Sequence, residues 1–141
     1  MIGVILTHPD AKLPEYKSEE AAAADVYSVE DKTLKAGETA IVDLGLTLEI
    51  PEGFEVQVRA RSGLSSKGII VSNSPGTIDS DYTGPCKVIL TNTTAQPFEI
   101  KKGDRIAQFA PRRCPRIHFQ LQEKQEKETA RGAGGFGSTG K

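Results

Sequence analysis

Long apolar runs are missing from this 141-residue chain. No stretch approaches the roughly 18 apolar residues that cross a bilayer as a helix, so no membrane partner is expected. An excess of one charge sign is missing as well: 18 Lys and Arg stand against 19 Asp and Glu, a formal net charge of −1. That excludes a global basic field of the kind that holds nucleic acid. A polyanionic ligand would have to be held by a local cluster of cations. Cysteine is scarce, and Cys86 and Cys114 show neither C-x-x-C nor metal-type spacing. Two such thiols are expected to be free and buried or half-buried, as suits a reducing compartment. Met1 to Glu20 has no basic segment followed by an apolar run, so no secretory signal is expected and the cytoplasm is the simplest location. The length fits one domain with a real core.

What is present is a succession of short alternating runs. Phe54, Val56, Val58 and Ala60 recur at every second position with Glu55, Gln57 and Arg59 between them, the period of a strand with one buried face. Gly3–Leu6, Thr39–Leu44, Leu46–Ile50, Lys87–Thr91, Arg105–Ala110 and Ile117–Leu121 read the same way. Turn signals separate them, among them Pro51-Glu52-Gly53, Thr83-Gly84-Pro85 and Lys102-Gly103-Asp104. Many short strands at regular spacing predict an all-β sandwich or barrel. One short helix is expected over Ser62–Lys67, with a serine to cap its start and Gly68 to stop it. After Leu121 the composition changes: Gln122–Thr129 is almost wholly Glu, Lys and Gln, and Arg131–Lys141 is mostly glycine and small polar residues. The chain therefore divides into a β domain, 1–121, and a flexible arm, 122–141. Phe136 has nothing local to pack on and is expected to dock on a ligand or another subunit.

Three segments carry chemistry. Gly135 to Lys141 matches G-x-x-x-x-G-K, but a P-loop needs a strand before it, a helix after it and a Ser/Thr for the metal, all lacking here. What remains is a run of unobstructed backbone N–H groups that can wrap phosphate oxygens, with Arg131 and Ser138 as further donors. A merely solubilising tail fits the same composition. Arg61 to Gly68 places an arginine and a serine where a helix begins, a setting that favours phosphate, although an ordinary capped turn reads the same way. Asn73 to Gly84 resembles two strand ends around a tight turn, with Asp79, Asp81 and Tyr82 at positions a fold alone does not require. Asp79 has the chemistry of a general base and Tyr82 that of a sugar contact. Turn formers with a hairpin tyrosine are the plainer alternative.

Taken together, five segments in order resemble the trimeric dUTPase family: Ala23–Ser28, Arg61–Leu64, Asn73–Gly84, Gly103–Gln108 and Arg131–Gly140. The resemblance spans nearly the whole chain. It implies a jelly-roll-like β fold, a homotrimer with active sites at its interfaces, and Mg²⁺-assisted hydrolysis of dUTP to dUMP and pyrophosphate. That activity limits uracil incorporation into DNA and supplies dUMP for thymidylate synthesis. By the same resemblance, Asp79 activates the water that attacks the α-phosphorus. Asp25 and Gln108 act on the Mg²⁺ through water. Arg61, Ser62 and Gly63 meet the α- and β-phosphates. Asn73, Gly76, Thr77 and Ile78 read the uracil edge, and Tyr82 excludes a ribose 2′-hydroxyl. Arg131, Gly137, Ser138 and Thr139 close on the outer phosphates while Phe136 stacks on the uracil. Arg105 either adds positive charge for the phosphates or pairs with Asp104.

Some positions depart from the family pattern. Ala24 and Val26 flank the first-motif aspartate, Ala60 replaces a frequent proline, and Thr83 and Pro85 stand where many members have Arg and Glu. None removes a proposed catalytic group. A dCTP deaminase shares the expected fold and is the nearest rival, but Gly63 and Leu64 stand where that branch carries a second serine and a further arginine. A non-catalytic trimer that binds a partner protein is the rival from another class. His8 and His118 lie outside every motif and read as structural or surface residues.

Overall fold

The computed structural model describes residues 1–140; Lys141, the last residue of the expected arm, lies outside them. Eleven strands and one helical turn follow one another: β1 (Gly3–Leu6), β2 (Ala24–Tyr27), β3 (Lys32–Leu34), β4 (Thr39–Asp43), β5 (Leu46–Glu49), β6 (Phe54–Arg59), α1 (Ser62–Ser65), β7 (Ile69–Val71), β8 (Gly76–Ile78), β9 (Lys87–Asn92), β10 (Phe98–Ile100) and β11 (Arg105–Arg113). They form a four-stranded sheet ordered β2-β11-β6-β8, a three-stranded sheet β4-β9-β7, and the pairs β1-β5 and β10-β3. The expected all-β, jelly-roll-like sandwich is what the chain adopts.

The alternating runs explain why. In β6, Val56 and Val58 are buried while Glu55, Gln57 and Arg59 face outward. The same rhythm in β9 buries Val88 and Leu90 and turns Ile89 and Thr91 outward. The inward residues of all the sheets, including Leu34, Val42, Leu44, Leu46, Leu90, Ile100 and Ile106, form one apolar cluster. Each such side chain contributes about 1.5–3 kcal/mol on leaving water. On the outer face of β6, Arg59 donates to Gln57 Oε1 at 2.7 Å through Nη2, and Gln57 donates to Glu55 Oε1 at 2.8 Å. The three side chains of that polar row are half-buried.

Four sequence expectations are corrected. Ile117–Leu121 alternates like a strand but forms none. Its would-be partner β6 begins at Phe54, opposite Arg113, so the ladder runs out there. Cys114 N still donates to Gly53 O at 2.8 Å, and Pro115 then supplies no N–H to continue. Ile117, Phe119 and Leu121 are left exposed. Second, α1 begins after Arg61, in extended backbone and without a side-chain cap, rather than after a capping serine. It also ends earlier than expected, at Ser65 with Ser66 as its C-cap, and only turns lead on to Gly68 at φ of 80°. Third, Asn73 to Gly84 is not a hairpin whose arms pair: β8 adds to the edge of β6, whereas β9 pairs with β4 and β7. The segment crosses from one sheet to the other. Fourth, Cys86 is buried but Cys114 is exposed, since it lies past the end of the ladder.

Gly45 marks a tight spot in this frame. Its φ is +65°, its N–H donates to Asp43 Oδ1 at 2.8 Å, and an added β-carbon would lie 2.7 Å from His8 Cβ and 2.8 Å from Val29 Cγ1. Both the backbone and the space demand glycine. Gly45→Ala is expected to lower the unfolding free energy by about 2–4 kcal/mol in urea titration, and an unchanged midpoint would contradict this packing.

Candidate active site

Asp25 is the one carboxylate in the interior of the four-stranded sheet, 3% exposed. It lies on β2 directly opposite Gln108 of β11, whose Nε2 donates to Asp25 Oδ1 at 3.1 Å. Arg61 Nε reaches the same oxygen at 3.3 Å, and Arg105 Nη1 reaches Oδ2 at 3.2 Å. Arg61 Nη1 also donates to the Arg105 carbonyl at 3.0 Å. Arg105 thus pairs with Asp25 rather than Asp104, whose Oδ2 accepts from Lys101 N. A local feature makes this cluster reachable. Residues 105 and 108 are three apart and would face opposite sides of a regular strand. A bulge between Arg105 and Ala107, opposite Tyr27 and Val26, absorbs one residue and brings both side chains to the Asp25 face.

Two of the three groups on Asp25 are cations, and their exposure differs: the Arg61 side chain is 21% exposed, that of Arg105 45%. Each guanidinium keeps donors that Asp25 does not use. Because Gln108 gives its amide N–H to Asp25, its Oε1 remains an acceptor with no partner among the described residues. Ser62 and Gly63 open α1 beside Arg61, and both are exposed.

A cavity of about 450 Å³ lies between the β8 segment and the β4-β9 edge. It brings together Asn73, Gly76, Thr77, Ile78, Asp79 and Tyr82, all singled out from the sequence. Gly76 permits this: a β-carbon there would lie 3.0 Å from Asn73 Nδ2 and 3.3 Å from Val58 Cβ. Asp79 is exposed, and its carboxylate is in no ion pair among the described residues. Its carbonyl accepts from Tyr82 N at 3.1 Å, which ties the tyrosine to the aspartate by one turn.

The cavity lining does not include Asp25, Arg61, Ser62, Gln108, Arg131, Phe136, Ser138 or Thr139. Phe136, at φ of 49°, is fully exposed. Arg131 Nε donates to Gly134 O at 2.7 Å and Ser138 N to Gly135 O at 3.0 Å, so these arm residues bond within the arm itself. One chain therefore holds the predicted residues in three separate groups.

The profile of the family described as dUTPase matches residues 9–140. The deoxyuridine 5′-triphosphate nucleotidohydrolase of Nautilia profundicola is 51% identical over 134 residues, covering 94% of this chain and 93% of that protein. That of Wolinella succinogenes is 49% identical over 141 residues, covering 99% and 94%. Among solved structures, a Staphylococcus bacteriophage 80alpha dUTPase with dUpNHpp superposes at a TM-score of 0.92, with 26% identity over 99% of this chain and 98% of that one. The chain belongs to the dUTPase family.

Within that family assignment, the structure adds cavity residues the sequence did not single out: Ile41, Val58, Pro85, Cys86, Lys87 and Ile89. A partial signal existed. The alternation in Thr39–Leu44 and Lys87–Thr91 turns Ile41 and Ile89 to one face, and they are paired across β4 and β9. Nothing in the alternation says that this face borders a cavity. Burial, with the Asp43 charge as a lesser cause, pushes the Cys86 thiol up to about 11. Below that pH Cys86 stays protonated and weakly nucleophilic. At pH 7.5 a thiol reagent is expected to modify Cys114 rapidly and Cys86 only after unfolding; two rapid equivalents in the native protein would contradict this placement.

Proposed function

We propose that this dUTPase-family protein hydrolyses dUTP to dUMP and pyrophosphate by attack of water on the α-phosphorus, with Asp79 as general base. The observation that carries the reading is the single cavity uniting Asn73, Asp79 and Tyr82 on the rim of a nucleoside-sized space. Asn73 and the backbone of Gly76 to Ile78 read the uracil edge. Cytosine presents the reversed donor and acceptor pattern, and each buried polar group left unpaired costs about 1–3 kcal/mol. Thymine is refused by lack of room for its methyl. Tyr82 stands against the sugar and refuses a 2′-hydroxyl.

The Asp25 cluster supplies the opposite need. A triphosphate with about four negative charges repels a hydroxide-like nucleophile unless those charges are offset. Asp25 holds Arg61 and Arg105 side by side with spare donors, and Ser62 and Gly63 lie next to them. Arg131, Ser138 and Thr139 of the arm close on the outer phosphates with Gly137 as an unobstructed backbone donor, and Phe136 covers the base. Closure excludes water and strengthens these contacts.

The donor set suits a hydrated Mg²⁺ rather than a directly caged one. Among the described residues no group of three or more His, Cys, Asp or Glu side chains could hold a metal. Mg²⁺ keeps several waters and binds mainly through substrate phosphates. Gln108, with Oε1 free, fits as an acceptor from such a water, and Asp25 contributes by orienting Gln108 and through its remaining lone pair. When bound, the ion would offset phosphate charge and polarise the phosphorus–oxygen bonds.

Separate groups within one chain support a homotrimer whose sites form between subunits, with residues 122–141 as the arm lent to a neighbour. Ile117, Phe119 and Leu121 form an unpartnered apolar edge. An apolar groove of about 430 Å³, lined by Ile2, Val4, Leu13, Leu48, Phe54 and Phe109 among others, offers matching chemistry on each copy. No helix among the described residues is long and apolar enough to cross a membrane. A cytoplasmic enzyme that lowers dUTP and supplies dUMP for thymidylate synthesis completes the reading.

The direct test is pyrophosphate release across dUTP, dTTP, dCTP and UTP, with and without Mg²⁺. The expected result is Mg²⁺-dependent release from dUTP with little from the others; ammonia release from dCTP would sink it. Asp79→Asn should lower kcat by about 10²–10⁴-fold while keeping the affinity for a non-hydrolysable dUTP analogue within about tenfold. A near-normal rate would remove Asp79 from the role of base.

A further inference from the structure

We infer that Gly84 is a positioning residue: its missing side chain is what lets Tyr82 stand at the cavity rim, and through Tyr82 it sets the preference for deoxyribose over ribose. This rests on the dUTPase reading above and on Tyr82 as the sugar wall.

Tyr82 is 45% exposed, yet three contacts hold it. Its N–H donates to Asp79 O at 3.1 Å, and its hydroxyl donates to Pro85 O at 2.9 Å. The third contact is Gly84. A β-carbon built there would lie 2.6 Å from Tyr82 Oη, 2.7 Å from Cζ and 3.0 Å from Cε2. Carbon atoms do not approach an aromatic ring that closely, so any side chain at 84 displaces the ring or breaks the Pro85 bond. Gly84 is not among the glycines with positive φ. Alanine is therefore compatible with the backbone there, and its whole effect falls on the ring.

The Pro85 bond has a chemical consequence. With its proton committed to that carbonyl, the Tyr82 hydroxyl offers no donor to a ribose 2′-hydroxyl. A 2′-hydroxyl brought against this wall could donate to the phenolic oxygen but would find no donor there for its own lone pairs, so part of its hydration is lost without replacement. A tyrosine free to turn would lose that property. The turn Thr83-Gly84-Pro85 thus acts as a brace that fixes both where the ring stands and which way its hydroxyl points. Gly84 does not line the cavity, so it works only through Tyr82.

The test measures kcat/KM for dUTP and UTP in the unchanged protein, Gly84→Ala, Tyr82→Ala, the double variant and Tyr82→Phe, with thermal unfolding as the check of folding. A wall of this kind rejects an added hydroxyl by about 100-fold. Gly84→Ala should lower the dUTP-to-UTP ratio about tenfold or more. In the Tyr82→Ala background the same change should move the ratio by less than about twofold, because the two residues act as a coupled pair. Tyr82→Phe, which keeps the ring and loses the Pro85 bond, should lower the ratio about fivefold. A merely structural glycine would depress both substrates together and leave the ratio alone. An unchanged ratio in a folded Gly84→Ala overturns the inference, as does an equal drop with and without Tyr82. If Gly84→Ala does not fold, Tyr82→Phe decides, and an unchanged ratio there overturns it. Unchanged protein that releases no pyrophosphate from dUTP overturns the dUTPase reading instead, and the inference with it.

Discussion

A carboxylate nearly sealed from water has to be met by charge and hydrogen bonds, and much of this site follows from how Asp25 is met. Burying an ion costs several kcal/mol, and only well-placed partners offset that. Here the partners are two guanidinium groups and one carboxamide. The demand reaches into the backbone. Arg105 and Gln108 share a face only because β11 bulges between Arg105 and Ala107, and Arg61 arrives because β6 ends just before it. The same contacts decide which atoms are left over. Gln108 turns its oxygen outward because its nitrogen is engaged, and the arginines keep unused donors on the open side. Among the described residues no buried side-chain polar atom is left without a partner.

The second group of residues obeys a different constraint, close approach rather than charge. Gly76 sits where a methyl would press on Asn73 and Val58, and Gly84 where it would press on Tyr82. Gly76 lines the cavity itself, and Gly84 lies behind Tyr82, which does. The apolar part of the cavity lining, with Ile41, Val58 and Ile89, comes from strands that also build the sandwich. The proposed nucleoside cavity is thus lined partly by strands of the sandwich and partly by the turn-rich Asn73–Pro85 segment, apart from the Asp25 cluster.

Most of the fold was legible because strand alternation needs only local sequence. Phe54–Ala60 and Lys87–Thr91 announce a buried face regardless of what lies opposite. Ile117–Leu121 shows the limit: its alternation is as clear, but a strand also needs a partner, and β6 has ended by then. The short strands β3, β7 and β10 span three residues each, too few for a period to register. Around the cavity, Asp79 and Tyr82 stood out as side chains that a turn alone does not require, whereas Asn73 and Gly76 were singled out only through the family resemblance. The pairing of Arg105 with Asp25 was not legible, because a bulge leaves no mark in composition and the two residues are 80 positions apart. The lining by Ile41 and Ile89 was hidden for a related reason: an outward isoleucine looks the same on any strand.

The central claim is that Asp25 holds the phosphate-facing groups and takes no part in holding the nucleoside. Calorimetric titration of Asp25→Asn with a non-hydrolysable dUTP analogue and with dUMP tests it most directly. The account predicts that affinity for the analogue falls about tenfold or more, a change of about 1.4 kcal/mol, while dUMP binds within about threefold of its normal strength. Equal losses for both ligands, or no loss for the triphosphate, would contradict it.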